Sequence, residues 1–110
     1  MLKGLETIAD VVLAIEAQLR DADLWESIKP DSQALLSSQP FCYDTLKFHQ
    51  WLQWIFVPRM KQIIEADGPL PSESLIKPMA EEFLDPNCEN TPMILQLLGR
   101  FDELINQKNE

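Results

Sequence analysis

Glycine is scarce in this chain of 110 residues: Gly4, Gly68 and Gly99 are its only three, and they are isolated. A phosphate-binding loop needs clustered glycines in front of a helix, so none is expected. Valine and threonine are also rare, at Val11, Val12 and Val57 and at Thr7, Thr45 and Thr91. Strand-rich domains draw on β-branched residues and glycine-rich turns, so the chain leans to helix. One histidine and two cysteines are present, with no C-x-x-C. A structural zinc needs four ligands at paired spacing, so neither a metal nor a cofactor is expected. Basic residues are outnumbered by eighteen acids to nine, a net charge of −9. That field opposes direct binding to nucleic acid or to an anionic membrane. No apolar run reaches the roughly 18–20 residues of a membrane span. Met1-Leu2-Lys3 leads into an amphipathic pattern with Glu6 and Asp10, and not into a secretory signal. A cytoplasmic protein with reduced Cys42 and Cys88 is therefore expected.

What is present is helical periodicity. Leu5, Ile8, Val12, Ile15 and Leu19 recur at steps of three and four, predicting a helix over 3–20 that ends on Arg20. Residues 21–43 read as an ordered connector, with Leu24, Trp25 and Ile28 as apolar anchors and Asp31 capping a turn that carries Leu35 and Leu36. Pro40 restricts Gln39 to extended backbone. The second long helix is expected after Asp44, read as its N-cap, and runs towards Ala66. It is apolar nearly all round, and Pro58 should kink or divide it. A short third helix opens at Pro78 with Met79, Phe83 and Leu84 inward. In the fourth, Thr91 caps, Pro92 opens, and Ile94, Leu97, Leu98, Phe101, Leu104 and Ile105 form the stripe. There Asp102 and Glu103 read as solvent-facing, and residues from Asn106 onward as a frayed end. Together these define an all-α protein: one domain over 1–110, a four-helix bundle with a long ordered connector between helices 1 and 2 and a proline kink in helix 2.

No catalytic constellation emerges from the spacing. Cys42, Asp44 and His49 fall close together, but a cysteine packed as a small hydrophobe and an aspartate at a cap account for the first two. The acidity is uneven. Residues 31–62 carry a charge of +1, against −10 for the remainder. This near-neutral segment is also the aromatic one, and aromatics with Arg and Met are what binding cores use. Trp51 and Trp54 lie roughly 60° apart on a helix and can share a flank. Gln39, Phe41, Trp51, Trp54 and Arg59 are therefore the candidate partner-binding surface.

Residues 39–71 read QPFCYDTLKFHQWLQWIFVPRMKQIIEADGPLP, followed by IKPMAEEF at Ile76 to Phe83. The runs Q-P-F-C-x-D-T, Q-W-L-Q and P-R-M resemble the YqcC-like family of small bacterial proteins, over nearly the whole chain. The resemblance implies an all-α bundle. Members are often labelled tRNA pseudouridine synthase C, or as associated with it, because the genes are neighbours. Pseudouridine synthases place a catalytic aspartate in a large mixed α/β domain, which nothing here predicts, and no catalytic residue is carried over. The expectation is a non-catalytic accessory protein that binds a protein partner, a tRNA pseudouridine synthase being the implied one. Two alternatives stand beside it. One is a small enzyme with a pocket on the Gln39–Met60 segment, using Cys42, Asp44 or Arg59. The other is a plain homodimer that buries its tryptophan-bearing face.

Overall fold

The computed structural model describes residues 7–107, and among these helices are the only regular secondary structure, with no strand. Helix α1 spans Ile8–Asp21, α2 Phe48–Trp51, α3 Val57–Glu65, α4 Lys77–Phe83 and α5 Thr91–Gln107. A π-helical turn, Leu52–Phe56, joins α2 to α3, so that α2, the turn and α3 form one continuous helix. The chain thus has the four expected rods. Leu2, Leu5 and the expected start of helix 1 at residues 3–6 lie outside the described residues.

The start of α1 is fixed by Thr7, whose Oγ1 accepts a hydrogen bond from the Asp10 N–H at 3.1 Å. Its apolar stripe of Ile8, Val11, Val12, Ile15 and Leu19 is buried, while Leu13, off that stripe, is exposed. The stripe packs against α5 and α3. On the α3 side, Glu16 receives Lys61 Nζ at 2.6 Å and also pairs with Arg20 one turn on, at 3.0 Å. From α5, Ile94, Leu97, Leu98, Phe101 and Ile105 enter the same core.

The long helix begins later than the sequence indicates. Asp44 does not cap it; its carboxylate accepts from Ser37 Oγ in the connector instead. The helix starts at Phe48, where Gln50 Oε1 takes the Lys47 N–H at 2.8 Å. Pro58 leaves its mark as the π turn. Proline has no N–H to donate and its ring would crowd the Trp54 carbonyl in a regular α register. One residue earlier the ladder has already stepped out of that register, with the Val57 N–H bonded to the Leu52 carbonyl five residues back. The widened turn accommodates the proline within a continuous helix.

Three more residues depart from their expected places. Asp102 does not face water. It is buried, and it accepts hydrogen bonds from Ser74 Oγ and from the Ile76 and Lys77 N–H groups, the last two at 3.0 and 2.9 Å. One carboxylate therefore fastens the 66–76 loop and supplies the opening turn of α4 with an acceptor. Asn106 is not frayed either: it lies within α5 and bonds both the N–H and the carbonyl of Ser74. Polarity alone makes Asp102 read as solvent-facing, because it says nothing about which loop lies across a helix. Phe83, expected inward, is 54% exposed; Ala80 forms the buried face of α4, and Leu84, just past the helix, is buried as expected.

Asp102→Ala should destabilise the protein by about 3 kcal/mol or more, because it strands buried donors as well as removing charge-assisted bonds. Leu98→Ala, a pure cavity mutation, should cost about 2–5 kcal/mol. Urea titration followed by far-UV circular dichroism measures both.

Candidate functional site

A groove of about 620 Å³ opens on the described surface. Three stretches of chain build it. Ala22 and Leu24 come from the end of α1, and Phe41, Tyr43, Leu46 and Phe48 from the turn before α2. Met79, Phe83 and Leu84 come from α4. Polar groups are few: Lys47, His49, Asp85, Cys88 and Thr91. An apolar lining with a small number of polar groups is the usual character of a binding cleft.

Each wall has a local cause. Gln39 is extended ahead of Pro40 as expected, and a tight turn follows. Phe41 and Cys42 then both adopt left-handed backbone, with φ of 57° and 51°. That conformation costs a non-glycine residue on the order of 1–2 kcal/mol. The Phe41 ring offsets it by packing edge-on to Trp51 at 4.8 Å and against Phe48 at 5.9 Å. Behind this wall the connector is stitched down, with Thr45 Oγ1 donating to the Ala34 carbonyl at 2.7 Å. On the opposite side, Thr91 Oγ1 donates to the Asp85 carbonyl at 2.6 Å and so shapes the α4–α5 loop. That hydroxyl folds back on the loop instead of capping α5. Asn90 ties the loop to α1 through Gln18 and Asp21, at 2.9 Å each.

A polar clamp borders the groove at His49. Gln53, buried in the middle of the long helix, grips the backbone of Glu26 at both ends: its Oε1 takes the Glu26 N–H at 2.8 Å and its Nε2 donates to the Glu26 carbonyl at 2.7 Å. The Glu26 carboxylate in turn accepts from Gln50 Nε2 at 3.1 Å and meets His49 Nε2 at 3.4 Å. Burial pushes the Glu26 carboxyl up, but the hydrogen bonds from Gln50 and His49 and the positive field of His49 outweigh it, so its pKa lies below 4.5. Trp54 Nε1 is buried without a hydrogen-bond partner. Glu26, Gln53 and Tyr43 carry no motif that would single them out in the sequence. Gln53, the one polar residue in the apolar run from Trp51 to Val57, was the available signal.

The five candidate surface residues do not share one face. Phe41 lines the groove and Gln39 is exposed beside it. Trp51 is half-buried behind Phe41, stacked on Phe56 at 5.5 Å. Trp54 is half-buried on the Glu26 side, and Arg59 is exposed beyond the π turn. Of the residues considered for an enzyme, Cys42 is buried and Asp44 is exposed and bonded to Ser37. Both cysteines are free thiols. Among the described residues, no three His, Cys, Asp or Glu side chains are grouped so as to hold a metal ion. No helix among them is long and apolar enough to cross a membrane.

Fold and site together define a small all-helical protein with an apolar groove beside a polar clamp. Residues 7–104 match the family model described as tRNA pseudouridine synthase C. The chain is 34% identical over 92 residues to the uncharacterised protein YqcC of Escherichia coli, covering 84% of each chain. It is 33% identical over 92 residues to an uncharacterised protein of Haemophilus influenzae, covering 84% of this chain and 86% of that one. The solution NMR structure of E. coli YqcC superimposes with a TM-score of 0.76 at 32% identity, over 89% of this chain and 84% of that one. The chain belongs to the YqcC-like family. A different kind of match is the tRNA pseudouridine synthase C of Pectobacterium carotovorum: 40% identity over 57 residues, which are 52% of this chain but 15% of that protein.

Because the Glu26 pKa is depressed by folding, its charge stabilises the native state above pH 4.5 and ceases to do so as the pH falls through the folded-state value. The wild type should therefore melt higher than Glu26→Gln at neutral pH, and the gap should close on acidification well below 4.5. Thermal melts of both proteins across that range test the clamp.

Proposed function

We propose that this protein is a non-catalytic accessory module that binds a tRNA pseudouridine synthase. The observation that carries the reading is the Pectobacterium match. There a YqcC-like stretch of 57 residues lies inside a protein of about 380 residues that bears the synthase name. The name of that longer protein need not describe the matched stretch, because 85% of its length lies outside the match. Two units in one chain meet at high effective concentration without strong contacts. Where such units sit on separate chains an interface must do the work of the linker, and the apolar groove is a surface of that character. The chain's charge of −9 fits the same division of labour, since tRNA would be held by the partner and not by this protein.

A small enzyme is the second reading, and one observation favours it: His49, on the groove wall, is in hydrogen-bonding contact with Glu26, and the Cys88 thiol lines the same groove. The two readings part on a single preparation. Co-expressed with the tRNA pseudouridine synthase of its own genome, the protein should elute with it from size exclusion as one complex. Alone, it should form no pseudouridine on free tRNA. Separate elution at high concentration would defeat the accessory reading, and pseudouridine formed by the pure protein would establish the enzymatic one.

A further inference from the structure

The three stretches that build the groove carry most of the protein's negative charge. Residues 20–26, 41–49 and 79–91 hold eight acids and two cations, a charge of −6 out of the total of −9. Seven of the eight acids are exposed: Asp21, Asp23, Asp44, Glu81, Glu82, Asp85 and Glu89. The two cations do little to balance them. Arg20 is engaged by Glu16 at 3.0 Å and lies over the Trp25 ring at 4.3 Å. Lys47 and Asp85 line the groove itself, and each of the other six exposed acids stands within two residues of a lining residue, so the negative excess frames the groove and does not fill it. At the mouth of this acidic rim two aromatic rings are left in water, Tyr43 at 55% and Phe83 at 54% exposure.

We infer that the groove receives a basic amphipathic segment of a partner protein, with apolar side chains seated between Tyr43, Phe41, Met79 and Phe83 and Lys or Arg flanks against the rim. The inference deepens the accessory reading and rests on it for the existence of a partner. Three features of the site select this occupant. Apolar walls call for apolar anchors, and exposed aromatic rings are the residues that carry binding energy at interfaces. The rim repels acidic segments and nucleic acid and attracts cationic ones, so it discriminates as well as binds. A second copy of this chain would bring the same acidic rim to the contact, setting like charges against each other.

The test uses a fluorescently labelled amphipathic peptide of Leu and Lys only, with a Leu/Glu peptide of the same pattern as its counterpart. Anisotropy should show saturable binding of the Leu/Lys peptide, weakened by salt, and none of the Leu/Glu peptide. Phe83→Ser should lower the affinity about tenfold or more. Tyr43→Ser should act in the same direction, and the double variant Glu81→Lys, Glu82→Lys should weaken binding while flattening its salt dependence. All these residues are exposed, so circular dichroism should confirm an unchanged fold. Leu13→Ser, on another face, should bind as the wild type does. Equal binding of the Leu/Glu peptide, or no loss in Phe83→Ser, overturns the inference. So does a wild-type dimer in sedimentation that Phe83→Ser converts to monomer, since the groove's occupant is then a second copy. If wild-type protein binds the synthase and Phe83→Ser binds it equally well, the groove inference fails and the accessory reading stands. If the wild type binds the Leu/Lys peptide as described but never the synthase, the accessory reading fails and the groove inference stands.

Discussion

A column of aromatic rings connects the groove to the centre of the protein. Phe41 meets Trp51 at 4.8 Å, Trp51 stacks on Phe56 at 5.5 Å, and Phe56 stands edge-on to Phe101 at 4.9 Å. Phe101 is wholly buried among the α1 and α5 side chains. Through this column the core holds the turn at Phe41 in a backbone conformation it would otherwise avoid. Two consecutive left-handed non-glycine residues persist only where the surroundings over-determine them. The position of the groove wall is thus a consequence of core packing.

The connector obeys a second constraint, because it has no regular helix beyond short turns and its backbone groups need partners. Gln53 supplies both partners for Glu26 from inside the long helix, and the Thr45 and Ser37 hydroxyls serve the segment around residues 34–44. Asp102 and Asn106 do the same for the 66–76 loop. At Gln53, Asp102 and Asn106 a polar residue placed on a helix satisfies a loop that crosses it. The acids that remain at the surface are then free to set the field around the groove.

Family membership and groove bear on function in different ways. The YqcC-like relatives that match along most of their length are uncharacterised. The relative that bears an enzyme name shares a short stretch with this chain. The family's sequence is thus found both in small proteins and in a stretch of a longer one. The groove's chemistry bears on what such a unit would recognise.

The sequence by itself determined the helical class, the apolar stripes of α1 and α5 and the disturbance at Pro58. These follow from local rules: a period of 3.6 residues, the paucity of β-branched residues and glycine, and the missing proline donor. It also carried the family resemblance, in the runs around Gln39–Met60. Only the tertiary structure decided which polar residues are buried and where the groove lies. Asp102 and Gln53 look like surface residues on a helical wheel, and their roles depend on loops more than twenty residues away. The left-handed turn at Phe41 has no glycine or asparagine to announce it, because long-range aromatic packing stabilises it. The groove joins residues from the end of α1, the turn before α2 and the α4–α5 region, and no local pattern records that these three stretches meet.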